Sequence, residues 1–96
     1  MSADSDDGAP VVVHLPRSLV ALFTGAARRM VARGATVGDV IHDLDRTVPG
    51  IRDRLIDSGP ALRTHLNVFV DGKRAGLDSP ISPGADVYII PAVSGG

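Results

Sequence analysis

The sequence predicts a two-layer α+β fold, with one main helix on one sheet, and three features carry that prediction. Val37, Val40, Ile41, Leu44 and Val48 recur at helical spacing and make a single apolar stripe. Short β-type or alternating runs occupy residues 11–15, 28–33, 66–70 and 86–90. Asp71-Gly72, between one such run and a short return segment, is a dipeptide that two-residue hairpins favour. One helical stripe matches one apolar sheet face, which sets the number of layers at two. The 96 residues make one domain by length, and a 44% apolar content is enough for a modest core.

In chain order, residues 1–9 (MSADSDDGA) are acidic and small and read as a solvated tail. Asp4, Asp6 and Asp7 lack the glycine and distal glutamate of a calcium loop, so no metal site is expected there. The domain proper spans residues 10–91. Val11 to Leu15 is a strand with Val11, Val13 and Leu15 on one face and Val12 and His14 on the other, and Pro16 closes it. Leu19 to Gly25 is a loop with apolar anchors or a helical turn. Arg28 to Arg33 suits the return strand of a hairpin, with Met30 and Ala32 inward and Arg29, Val31 and Arg33 outward.

Gly34 breaks that pattern, and Thr36 reads as a helix N-cap with Asp39 three residues on. An aspartate there also suits the positive end of a helix. Asp39, His42, Asp43 and Arg46 cover its wet side, and the helix stops before Pro49-Gly50. Ile51 to Ile56 is a short helical turn with Ile51 and Leu55 inward. Leu66, Val68 and Val70 share one strand face, and Asn67 and Phe69 the other. Lys73 to Leu77 returns, residues 79–85 are a Pro- and Gly-rich loop, and Asp86 to Ile90 is the last strand. Val87 and Ile89 point in; Tyr88 and Ile90 point out.

Composition excludes several functions. A net charge of −1 leaves no basic excess to neutralise phosphates, which argues against nucleic acid. Three aromatic residues, Phe23, Phe69 and Tyr88, do not make a base-stacking platform. There is no cysteine, so any sulfur chemistry uses sulfur brought from outside. No stretch is long and apolar enough to span a membrane, and the N-terminus shows no signal-peptide pattern, so a cytoplasmic protein is expected. His14, His42 and His65 have neither metal-ligand nor catalytic-triad spacing, so a stand-alone enzyme is not expected.

The end of the chain is the most informative stretch. Asp86-Val87-Tyr88-Ile89-Ile90 runs directly into Pro91-Ala92-Val93-Ser94-Gly95-Gly96. Pro91 lacks an amide N–H and is expected to end the ladder, freeing residues 92–96 as a flexible tail. Fully extended, those residues reach roughly 17 Å. Glycines without a Cβ can thread a narrow channel and leave the acyl carbon open to attack. Chain ends are also often small and unstructured without any role, which is the plainer account.

The order of elements, closed by Tyr88-Ile89-Ile90-Pro91-Ala92-Val93-Ser94-Gly95-Gly96, resembles the ubiquitin-like β-grasp sulfur carriers of the MoaD/ThiS family. Thr36-Val37-Gly38-Asp39-Val40-Ile41 and Leu66-Asn67-Val68-Phe69-Val70-Asp71 support the resemblance, which covers roughly residues 10–96 and is strongest to the carriers of a cysteine-biosynthesis route. It implies a mixed sheet on one helix. It also implies that an E1-like enzyme uses ATP to adenylate the Gly96 carboxylate, next to Gly95, and that sulfur then replaces AMP to give a thiocarboxylate. The acceptor is expected to be a PLP-dependent cysteine synthase or the large subunit of molybdopterin synthase. The carrier itself is expected to bind no cofactor.

Strand alternation puts His14, Phe69, Tyr88 and Ile90 on the sheet face away from the helix, and with Pro91 and Val93 they form the expected docking surface. Scattered surface apolars, common on any monomer, are the plainer account. Two further readings stay open. One is a ubiquitin-like modifier ending in an isopeptide bond, with Lys73 the sole lysine; the other is a β-grasp interaction domain with an inert tail.

Overall fold

The computed structural model describes residues 10–92. The expected N-terminal tail and Val93, Gly95 and Gly96 lie outside the described residues. Eight elements follow in order: β1 (Pro10–His14), α1 (Arg17–Val20), β2 (Arg29–Arg33), α2 (Val37–Thr47), α3 (Ile51–Leu55), β3 (Leu66–Val70), β4 (Lys73–Ala75) and β5 (Asp86–Pro91). The strands form one mixed sheet in the order β2-β1-β5-β3-β4. β1 and β5 run parallel at its centre, and the other neighbours are antiparallel.

Helix α2 covers one face of the sheet because its sequence can bury only one side. Val37, Val40, Ile41, Leu44 and the C-cap Val48 are fully buried against Val11, Val13, Val68, Val87 and Ile89. Each such side chain contributes roughly 1.5–3 kcal/mol relative to an exposed position. The predicted N-cap is present: Thr36 Oγ1 accepts the Asp39 amide at 3.2 Å. At the other end Asp45 Oδ1 accepts the amides of Gly50 and Arg52 at 2.9 and 3.0 Å, which fixes α3 to α2. Ile51 and Leu55 complete the core as predicted.

Gly34 is required by space. A Cβ there would lie 2.6 Å from the Val40 nitrogen and 2.8 Å from the Asp39 carbonyl carbon, so β2 enters α2 too closely for any side chain. The Asp71-Gly72 hairpin is also as expected, both residues having positive φ (48° and 86°), as a type I′ turn requires.

Several boundaries differ from expectation: β2 starts at Arg29 and not Arg28, α3 ends at Leu55 and not Ile56, and β4 ends at Ala75, two residues short of Leu77. β1 ends at His14, one residue early, although the Leu15 amide still bonds the Arg28 carbonyl at 2.8 Å. The segment after it is resolved as one helical turn, α1, with Leu19 buried.

Pro91 is the substantive correction, because it does not end the ladder. It pairs with Leu66 as the last residue of β5, and the next amide, Ala92, donates to the His65 carbonyl at 2.8 Å. In an antiparallel pair the amides of one strand face a given neighbour at every second residue. Ala92, Ile90 and Tyr88 therefore address β3, while Pro91 falls on the set that addresses β1. β1 stops opposite Tyr88, so the donor that proline lacks has nothing to bond there.

Candidate functional site

The face of the sheet opposite α2 is open. On β1 it presents Val12 and His14, on β5 Asp86, Tyr88 and Ile90, and on β3 Asn67 and Phe69. The strand registers bring these together: His14 sits beside Tyr88, Phe69 opposite Tyr88, and Asn67 opposite Ile90. The four sheet residues expected to dock a partner thus lie on one surface. Tyr88 and Ile90 are each 42% exposed, and Phe69 is partly covered. Exposed Pro91 continues the surface at the end of β5.

The centre of this face is an ordered cluster. The His14 ring stacks on Tyr88, with centroids 4.0 Å apart and planes within 5°. Its Nε2 lies 2.9 Å from Asp86 Oδ1, which accepts its proton in a hydrogen bond. Asp86 is held in turn, since its amide donates to Asp71 Oδ1 at 3.0 Å and its carbonyl accepts the Asp71 amide at 2.9 Å. The hairpin therefore fixes the start of β5, Asp86 fixes His14, and His14 fixes the plane of Tyr88. An aromatic held in one orientation loses little entropy when a partner covers it.

Residues outside the expected set extend the surface. Val31, 66% exposed, sits across from Val12 and carries the apolar patch onto β2. Arg74 Nη2 donates to Asn67 Oδ1 at 2.6 Å, bordering it on the β4 side. Val12 and Val31 had a signal in the sequence, because each falls on the outward set of its alternating strand. His42, by contrast, is an exposed residue of α2, far from this face, as its position in the helical pattern implied.

Two notches flank the point where the chain leaves the sheet. One, about 370 Å³, lies between the ends of β1 and β5 and the start of β2 and includes His14, Arg28, Arg29, Tyr88 and Pro91. The other, about 450 Å³, is lined by Phe23, Gly50, Asp53, Arg54, Arg63 and His65. The larger cleft of about 620 Å³, at the β2–α2 junction, lies toward the Pro10 end of β1 and has Arg33 and Arg46 mixed with Asp39, Asp43 and Asp45. Among the described residues no group of three or more His, Asp or Glu side chains could hold a metal ion. No helix there is long and apolar enough to cross a membrane.

An open, partly apolar sheet face thus lies beside β5, the strand that leads in sequence to residues 93–96. The sequence model of the ThiS family matches residues 13–96. The chain belongs to the ThiS family. Sulfur carrier protein CysO of Mycobacterium tuberculosis is 35% identical to this ThiS-family chain over 92 residues, 90% of this chain and 98% of its own length. Among solved structures, that of M. tuberculosis CysO superposes with a TM-score of 0.78 at 36% identity, over 86% of this chain and 99% of that one. A chain of the Amycolatopsis orientalis BexX/CysO complex gives 0.78 at 32% identity over 90% and 99%. SAMP1 of Haloferax volcanii gives 0.76 at 26% over 92% and 100%. The fold is the ubiquitin-like β-grasp that the element order suggested, and the chain is of the ThiS/CysO sulfur-carrier type.

Proposed function

We propose that this ThiS-family chain carries sulfur as a thiocarboxylate on Gly96 and delivers it for cysteine biosynthesis. The observation that supports this most is the course of β5, held in the sheet through Pro91 and Ala92 and leading directly to Val93-Ser94-Gly95-Gly96. The likeness to CysO across 90% of the chain supports the choice of pathway.

The chemistry balances without any group from the carrier body. A Gly96 carboxylate oxygen attacks the α-phosphorus of ATP on an E1-like enzyme, and pyrophosphate leaves. Sulfide then adds to the acyl carbon, AMP departs with the oxygen, and the sulfur gives up its proton to solvent. The product is a soft, anionic sulfur nucleophile where a carboxylate oxygen had been a poor one. Gly95 keeps the approach to that carbon unhindered. The partner positions the reacting atoms, so the carrier acts as a protein cosubstrate and not as an enzyme. His14, Phe69, Tyr88, Ile90 and Pro91, joined by Val93, form the surface on which the partner docks.

The acceptor in this reading is an aminoacrylate on a PLP-dependent cysteine synthase. Loaded protein mixed with that enzyme and phosphoserine, or instead with the large subunit and precursor of molybdopterin synthase, decides between the two. A cysteinyl adduct on Gly96, formed as its sulfur adds to the aminoacrylate, only with the first supports the cysteine route; return of Gly96 to the carboxylate only with the second moves the chain to the pterin route.

A second reading is favoured by one observation. Small archaeal modifier protein 3 of H. volcanii is 35% identical over 66 residues, covering 65% of this chain and 71% of its own. If the chain is a modifier, incubation with activating enzyme yields amide adducts on partner lysines in place of a thiocarboxylate.

A further inference from the structure

We propose that a positive collar surrounds the root of the tail and docks on an acidic rim at the mouth of the partner's tail channel. The proposal rests on the tail chemistry proposed above and names the chemistry of the partner surface that receives it. The root lies between the two notches: Pro91 lines the first, and the Ala92 amide is bonded to His65 of the second. Arg28 and Arg29 line the first, and Arg54 and Arg63 the second, against one carboxylate, that of Asp53.

These guanidinium charges are not cancelled locally. Arg28 Nε donates to the Leu15 carbonyl at 3.0 Å and Arg63 Nε to the Asp53 carbonyl at 2.9 Å, so both are held in place by neutral acceptors. Among the described residues no ion pair within 4.0 Å engages Arg28, Arg29, Arg54 or Arg63. Asp53 is itself 3.8 Å from Arg52 Nη1.

The chain as a whole carries −1, so this pole is a local excess. The antiparallel pairing of β3 with β5 puts the Asp71-Gly72 turn and Asp86 at the other end of the sheet, where Lys73 and Arg74 balance the two carboxylates. The uncancelled excess at the root of the tail therefore favours approach of that end to an acidic surface. A channel narrow enough to select small residues also brings its rim against both notches, because the reach from Ala92 is roughly 17 Å. Complementary rim charges act mainly on the rate of encounter and on its salt dependence.

Two measurements test the proposal. The first titrates the isotope-labelled full chain with a hexaglutamate peptide and, separately, with inorganic triphosphate. Amide shifts from the peptide at residues 28–29, 54 and 63–65, lost at high salt, are the expected result. Shifts spread evenly or centred on Lys73 and Arg74, or a response to triphosphate alone, overturn it; the last makes the pole a small-anion site.

The second measures loading kinetics with the E1-like enzyme. Arg29→Glu/Arg54→Glu replaces two exposed residues, one in each notch. It should slow association on the order of tenfold at low salt, with the difference shrinking as salt rises and the rate at saturation unchanged. Lys73→Glu, at the far hairpin, should change it by less than about twofold. Wild-type loading with no difference between the two variants refutes the collar. Failure of the wild type to be adenylated at all, with the peptide shifts in place, refutes the tail chemistry and leaves the collar standing.

Discussion

The amide of Ala92 donates to the carbonyl of His65 at 2.8 Å, one residue beyond a proline. β5 is therefore anchored up to the point where the chain end begins, and its direction is set by the sheet. A hydrogen bond of this kind is worth about 0.5–1.5 kcal/mol. Replacing Ala92 by proline removes the donor and leaves the core untouched. The expected result is a melting temperature lowered by about 2–12 °C, with a several-fold higher KM for the activating enzyme. Loading kinetics beside thermal melting check it; an unchanged KM would mean that the anchor is irrelevant to presentation.

Ile90 and Val31 lie on the open face, 42% and 66% exposed, at the two sides of the His14–Tyr88 stack. Aspartate at either position, or at Phe69, is expected to weaken partner binding by about tenfold or more, since it leaves a charge under a covered apolar surface. Melting should move little. Calorimetric titration and melting of the same samples separate the outcomes, and a lost melting transition with unchanged affinity would assign these side chains to the core.

Tyr88 is held in one plane by His14, and His14 by Asp86. Asp86→Asn keeps an acceptor oxygen for Nε2 and is expected to preserve partner affinity, whereas Asp86→Ala should lower it about threefold through a freed His14 ring. Equal affinities for the two variants would show that the plane of Tyr88 does not matter to the partner.

Gly34 has backbone atoms within 3 Å of any added Cβ. Gly34→Ala is expected to cost about 2 kcal/mol, lowering the melting temperature by about 8–16 °C. Loading at a temperature where the variant is folded should match wild type. Leu44→Ala, in the buried stripe of α2, should cost about 2–5 kcal/mol by leaving a cavity.

How much of this was legible follows from the range of each interaction. The stripe from Val37 to Val48, the Thr36 cap and the Asp71-Gly72 turn are local, and the sequence displays each within a dozen residues. The outward set of each strand was equally readable, which is why His14, Phe69, Tyr88 and Ile90 were placed on the correct face. The behaviour of Pro91 was not readable, because whether a missing N–H matters depends on which neighbour that position addresses. The stacking of His14 on Tyr88 and the gathering of Arg28, Arg29, Arg54 and Arg63 depend likewise on the parallel β1–β5 pairing and on the loops at one end of the sheet. No local pattern encodes those.

The most direct test of the account is the whole-protein mass after incubation of the full chain with the E1-like enzyme, ATP and sulfide. The account predicts a gain of about 16 Da, one oxygen exchanged for one sulfur, located on Gly96 and absent from a chain lacking that residue. A shortened chain that gained the same mass, or a full chain that gained none, would contradict it.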